Sequence, residues 1–147
     1  NALNGDGPYS PERSGSLPVY QLAELCFSGK YTLQDVKSMI VGKGGMVAYL
    51  GTNNFKDICE KALAGDAMAA LIRDGSAYQV AKEIGAMAAV LKGNIDAIIL
   101  TGGLAYEKPH TDMIAEMVSK FAPVAVYPGP IPVSARDLPE GVSPVCT

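Results

Sequence analysis

Residues able to do chemistry at their observed spacing fall in three places along this chain. Near the start, Asp6, Glu12 and Arg13 share a turn-rich segment in which Pro11, Ser14 and Gly15 flank the arginine. A guanidinium held on so stiff a segment can meet a carboxylate or a transferring phosphoryl group with two parallel hydrogen bonds. A solvated loop arginine is the plainer alternative. Further on, Gly42-Lys43-Gly44-Gly45 has the look of a phosphate loop. It departs from G-x-x-x-x-G-K-S/T, with Lys37 at the first glycine and Gly44 at the hydroxyl residue, and no G-x-G-x-x-G occurs anywhere. The third place is Thr101-Gly102-Gly103, at the end of the most apolar run. Ligands of open α/β sheets lie beyond the carboxyl ends of the strands. Two glycines there either let backbone amides approach a ligand or simply form a tight strand-to-helix turn.

Other catalytic chemistries find little material. His110 is the single histidine, and it follows Pro109 in what reads as a connecting stretch. Any Ser-His-Asp or Cys-His mechanism would have to use it. Cys26, Cys59 and Cys146 are 33 and 87 residues apart, an odd set without a CxxC. With one histidine, that pattern does not support a zinc site made by protein ligands alone. Cys26 and Cys59 lie in apolar helical patterns and are expected to be buried thiols in a reducing compartment.

Composition sets the frame for these groups. The 147 residues are 48% hydrophobic and 18% charged, enough apolar material for a folded core of about one domain. Twelve basic and 15 acidic side chains give a formal net charge of −3. This provides no electrostatic reason to bind nucleic acid or anionic lipid, so phosphate recognition would have to be local. No apolar run approaches the ~18 residues of a membrane span, and the first 20 residues lack a secretory apolar region. A soluble cytoplasmic domain is the expectation.

The elements that must position these residues can be read in outline. Leu22, Leu25 and Cys26 give a short helical face before Gly29. Thr32 can cap a helix over 33–41 that stops at Gly42. MVAYL (46–50) reads as a strand, followed by a turn and a helix from about Phe55 to Leu63. A long helix is expected from about Asp66 to Leu91, with Gly75 and Ser76 as a potential kink. Ala77, Val80, Ala81, Ile84, Met87, Ala88 and Leu91 form one stripe of it, with Gln79, Lys82 and Glu83 outside. IDAIILT (95–101) suits a strand buried on both faces. A helix carrying Ile114, Met117, Val118 and Phe121, started by Thr111 or Asp112, leads to a strand at 123–127. Strand, helix and strand in this order predict a right-handed βαβ unit with parallel strands, so the fold class is α/β. Five of the ten prolines fall after Tyr127, where periodicity ends, so 128–147 is expected to be an irregular proline-rich tail, from a truncated or altered reading.

GDGPYSPERSGSLP (5–18), LCFSGKY (25–31), GKGGMVAYLGTNN (42–54) and IDAIILTGGLAY (95–106) occur in this order. Together they resemble the C-terminal half of the butyrate kinases, in the acetate-kinase family of the sugar-kinase/Hsp70/actin superfamily. The resemblance covers roughly residues 1–129. It implies the second lobe of a two-lobe, ribonuclease H-like α/β fold, a partly parallel sheet flanked by helices. Residues 1–18 would be an active-site loop segment and 19–127 an incomplete C-terminal lobe.

The resemblance also implies roles. Arg13 matches an arginine that lies against the carboxylate and the phosphoryl group in flight, with Asp6 and Gly7 on the substrate side of the same loop. Asn54, Phe55 and Lys56 fall in a segment that lines the adenosine pocket, although related kinases carry an acid where Asn54 stands. Gly102 and Gly103 would give close backbone approach, with Leu104, Ala105 and Tyr106 beside the base and ribose. The implied reaction moves the γ-phosphoryl group of ATP reversibly to a short fatty acid, giving an acyl phosphate and ADP. Mg²⁺ would be liganded mainly by phosphates and by an N-terminal lobe, with no metal ligand in this chain. A homo-oligomer is implied for the complete protein. Because both phosphate loops of the family are expected before Asn1, the segment alone is expected to be inactive. Acetate, propionate or a branched acid remain as alternative acceptors. A non-catalytic nucleotide-binding or structural module, interacting through an exposed stripe over 77–91, remains as an alternative to an enzyme.

Overall fold

The computed structural model describes residues 4–129, which divide into two compact units at Val80 and Ala81, inside a long helix. Residues 1–3, Cys146 and all of the expected tail beyond Gly129 lie outside the described residues.

The first unit is an opening loop followed by helices. Helix α1 (Val19–Phe27) buries none of its residues, and Cys26 is exposed, contrary to expectation. Apolar periodicity makes a helix face but does not guarantee it a partner. Helix α2 (Leu33–Ile40) begins with a capping box. The Thr32 hydroxyl accepts from the Asp35 amide at 3.2 Å, and the Asp35 carboxylate accepts from the Thr32 amide at 2.8 Å. Bonding to the Thr32 hydroxyl, then to its amide, holds the Asp35 carboxyl below its ordinary pKa.

MVAYL is a turn of helix, α3 (Met46–Leu50), rather than a strand. Its first two amides donate to the carbonyls of Ser10 and Pro11, at 3.1 and 3.0 Å, which satisfies donors that a short helix leaves open. Met46 is buried while Ala48 and Tyr49 are both exposed, so burial does not alternate as a half-buried strand requires. Helix α4 (Phe55–Leu63) buries Phe55, Ile58 and Cys59, so Cys59 is the buried thiol that its pattern predicts.

Helix α5 (Ala67–Val90) runs without interruption through Gly75 and Ser76. Asp66 starts it by accepting from the Met68 and Ala69 amides. Its small-residue stripe is largely used by the fold: Ala77, Ala81 and Ala88 are buried, and Met87 and Leu91 are exposed. The stripe is therefore covered in part and open at Met87 and Leu91.

The second unit continues α5 into a βαβ unit of strands β1 (Ile98–Gly102) and β2 (Val124–Pro128) around helix α6 (Lys108–Val118). The strands are parallel, in register from Ile98 opposite Val124 to Gly102 opposite Pro128. Ile98 and Leu100 are buried, Ile99 is half-buried and Thr101 is exposed, so β1 buries one face rather than two. Helix α6 starts earlier than Thr111, with Glu107 as its cap and Pro109 in its first turn. Proline has no amide hydrogen, and none is needed there. His110 consequently belongs to a helix and is buried, not on a connecting stretch.

Candidate functional site

Arg13 projects from a loop with no regular secondary structure, yet its backbone is tied down on both sides. Within the loop, the Ser10 amide donates to the Arg13 carbonyl at 3.0 Å and the Ser16 amide donates to the Gly7 carbonyl at 2.8 Å. Across to the α2–α3 connection, Ser14 donates to Ile40 at 3.0 Å and Gly42 donates to Glu12 at 2.8 Å, and Arg13 pairs with Val41 as an antiparallel bridge. These bonds, together with the two from α3, engage the amides of Ser10 and Ser14 and the carbonyls of Ser10, Pro11, Glu12 and Arg13.

Glycines make that approach possible. A β carbon on Gly45, whose φ is +62°, would fall on the carbonyl oxygens of Ser10 and Arg13. One on Gly44 would run into the backbone of Met39 and Ser14. The phosphate-loop look of 42–45 thus has a packing cause: Gly44 and Gly45 are buried against the loop that carries Arg13.

A residue that sequence reasoning missed anchors the same loop. The Tyr9 amide donates to Gln79 Oε1 at 3.0 Å, and its phenol donates to the Ile72 carbonyl on α5. Gly75 leaves room for that phenol, since a β carbon there would lie 2.7 Å from the hydroxyl. Burial, with smaller contributions from nearby Tyr49 and Asp74, pushes the Tyr9 hydroxyl up to about 12. An aromatic between prolines in a polar loop, with a glycine inside a long helical pattern, was the available signal.

The side chain of Arg13 is exposed, and among the described residues it has no ion pair or hydrogen bond. It lines a polar recess of about 320 Å³ with Ser10, Pro11, Glu12 and Asn53. Asp6, exposed, accepts from the Gly7 amide at 2.8 Å and from the Ser16 hydroxyl at 3.3 Å. Asp6, Gly7 and Arg13 therefore belong to one braced loop.

The 52–57 segment meets this loop through a contact that sequence reasoning also missed. Asn53 Nδ2 donates to Glu12 Oε1 at 2.6 Å. Asn54 is the N-cap of α4, Phe55 is buried, and Lys56 is exposed with Glu60 at 3.8 Å. Of the three, Asn54 and Lys56 present side chains to solvent.

In the second unit, β1 ends at Gly102, whose φ of +91° only glycine adopts readily. Gly103–Tyr106 forms a single 3₁₀ turn in which Leu104 is half-buried, Ala105 buried and Tyr106 exposed. Gly102 and Gly129 exchange backbone hydrogen bonds of 3.0 and 3.3 Å, and the Thr101 hydroxyl donates to the Gly129 carbonyl at 2.7 Å. A β carbon on Gly103 would meet nothing within 4 Å, and its φ is not positive. Glycine at 103 therefore serves no turn or close contact among the described residues. Among those residues, no helix is long and apolar enough to cross a membrane.

Helices flanking a small parallel sheet are the fold of the matching parts of known carboxylate kinases. The acetate kinase of Porphyromonas gingivalis superposes with a TM-score of 0.74 over 84% of this chain and 37% of its own, at 19% identity. A propionate kinase from Francisella tularensis gives 0.71 over 82% and 38%, at 18% identity. The chain belongs to the acetokinase family, whose sequence profile matches residues 10–124. Two relatives are the probable butyrate kinase 2 of Caldanaerobacter subterraneus subsp. tengcongensis, 55% identical over 129 residues, and butyrate kinase 2 of Clostridium acetobutylicum, 57% identical over 129 residues. Each match covers 88% of this chain and 36% of the relative, so the chain spans about a third of the length of these relatives.

Proposed function

We propose that this chain is the Arg13-bearing part of a kinase that moves the γ-phosphoryl group of ATP to butyrate and, in reverse, from butanoyl phosphate to ADP. The observation that carries this reading is the exposed guanidinium of Arg13 on a loop whose backbone is fixed from both sides. The acceptor comes from the relatives, both named as butyrate kinases.

In the transfer, a carboxylate oxygen forms a bond to the γ-phosphorus while the bond to the β–γ bridging oxygen breaks, its electron pair leaving with ADP. A carboxylate is already ionised at neutral pH, so no base is needed. Catalysis is then positioning and charge, and Arg13 would hold the acceptor carboxylate and the equatorial phosphoryl oxygens with its two-pronged donor face. Asp6 and Gly7 would shape the substrate side of that loop. Asn54 and Lys56 would meet adenosine by their side chains, and the buried Phe55 would set the segment behind them. Gly102 and Gly103 would let backbone approach the nucleotide, with Leu104, Ala105 and Tyr106 beside the base and ribose. Mg²⁺ bound with the nucleotide would neutralise phosphate charge. Phosphates and the rest of the enzyme would be its main ligands. The complete enzyme would be a cytoplasmic homo-oligomer.

The test is Arg13→Ala in a full-length kinase carrying this segment. Loss of one preorganised donor typically costs about 10²–10³ in kcat, so turnover should fall at least ~10² with a smaller change in ATP affinity. Arg13→Lys should rescue poorly, because one ammonium keeps the charge and loses the fork. Turnover within about threefold of wild type, only ~0.65 kcal/mol of transition-state energy, would defeat the role.

A further inference from the structure

Glu12 and Arg13 are chain neighbours of opposite charge on the rim of one recess. An exposed carboxylate and guanidinium so close can pair, and a paired guanidinium has fewer donors to offer an anionic substrate. They do not pair here: Glu12 Oε1 accepts from Asn53 Nδ2 at 2.6 Å instead. We infer that Asn53 is a positioning residue that holds the Glu12 carboxylate away from Arg13, leaving the guanidinium open for substrate. The consequence for turnover rests on the kinase reading above; the restraint on Arg13 does not.

The donor is suited to the task. An amide nitrogen is uncharged, so it holds the carboxylate without adding a cation that would compete with Arg13 for the substrate. It also comes from a fixed base. Gly51, with φ +68°, ends α3, the Thr52 hydroxyl accepts from the Asn54 amide at 3.1 Å, and Asn54 caps α4. Phe55, Ile58 and Cys59 then seat α4 in the core. Asn53 therefore reaches the Arg13 loop from a braced helix start.

The experiment is a double-mutant cycle on Asn53→Ala and Glu12→Gln, with two readouts. The first needs no turnover: the rate at which phenylglyoxal modifies Arg13 in this chain, followed by mass spectrometry. Without the amide, Glu12 is free to pair with Arg13. An exposed pair of ordinary strength should slow modification about two- to fivefold in Asn53→Ala. The same substitution in a Glu12→Gln background should have no effect, because no carboxylate is left to pair. The second readout is kinetic, in a full-length kinase carrying this segment: Asn53→Ala should lower kcat/KM for butyrate about two- to fivefold with ATP affinity unchanged, and again only where Glu12 is present.

An unchanged modification rate in Asn53→Ala overturns the inference. So does an equal slowing with and without Glu12, which would mark a general loosening of the loop. If the modification cycle behaves as expected while the wild-type kinase does not phosphorylate butyrate, the kinase reading fails and the restraint on Arg13 stands.

Discussion

Gly45→Ala should release the loop that carries Arg13, and the structure gives the size of the effect. Gly45 has φ +62° and ψ −139°, a region that L side chains rarely adopt, at a cost of order 1–3 kcal/mol. An alanine β carbon would in addition fall on the carbonyl oxygens of Ser10 and Arg13. Neither is the end of a flexible side chain, so backbone must move, and overpacking of that kind costs about 1–3 kcal/mol. Even the low ends together reach about 2 kcal/mol, roughly a 30-fold change in a local opening equilibrium. The bonds most exposed to the displacement are Ser14 to Ile40, Gly42 to Glu12, Met46 to Ser10 and Val47 to Pro11. Hydrogen exchange read by NMR should therefore show protection at the amides of Ser14, Gly42, Met46 and Val47 falling at least about 30-fold. Gly51→Ala separates the two causes. Gly51 has φ +68°, but a β carbon there would meet nothing within 4 Å, so it carries the backbone cost alone, at the end of α3. Ser14 and Gly42 should keep their protection in that variant. Undiminished protection at all four amides in a folded Gly45→Ala protein would refute the packing argument.

Two further outcomes follow from single residues. The raised pKa of Tyr9 means that the folded state holds the phenolic proton more tightly than the unfolded chain does. The associated stability is therefore complete below about pH 10 and is lost as pH rises through about 12, so urea midpoints should fall more steeply over that window in wild type than in Tyr9→Phe. Gly103→Val should not lower urea stability, since its β carbon meets nothing. In a full-length kinase carrying the segment it should weaken ATP binding by at least ~1–3 kcal/mol by calorimetry, and equal affinity would remove Gly103 from the nucleotide site.

What the sequence discloses is what neighbours along the chain decide. Thr32 with Asp35 three residues later, Asn54 before Phe55, and Asp66 before the long helix each carry their capping partners within three positions, and each boundary is legible for that reason. The parallel pairing of β1 and β2 follows as directly, because the intervening α6 leaves little topological choice. MVAYL is different. Its β-branched and aromatic content suits a strand, but the carbonyls that receive its first amides belong to Ser10 and Pro11, more than 30 residues earlier. Pro109 reads as a break, yet a proline in a first turn marks a start, and that shift carries His110 from a connection into a buried helix. Local pattern could nominate Arg13. It could not reveal Tyr9 against α5 or Asn53 against Glu12, because both contacts join residues more than 40 positions apart.

The glycines show how structure separates two meanings of one residue type. At Gly15, Gly44 and Gly45 a β carbon would collide with the chain's own backbone, so the fold by itself accounts for the absence of a side chain. At Gly102 the positive φ does the same. Gly103 has neither reason: its backbone suits any residue, its surroundings are open and it is exposed. Alanine there would remove some freedom from the unfolded chain and add stability, of order 0.4–1 kcal/mol. A glycine at 103 suits the role proposed for it, in which the nucleotide comes close to the backbone from outside the chain. Arg13 makes the complementary case. Its loop is held by backbone bonds on both sides while its guanidinium makes no bond among the described residues, so under the proposed role the cost of ordering the loop would be met in folding rather than at each encounter with substrate. A fixed base under an unengaged charge, and an open glycine where nothing among the described residues asks for one, are the two features on which the proposed kinase role rests.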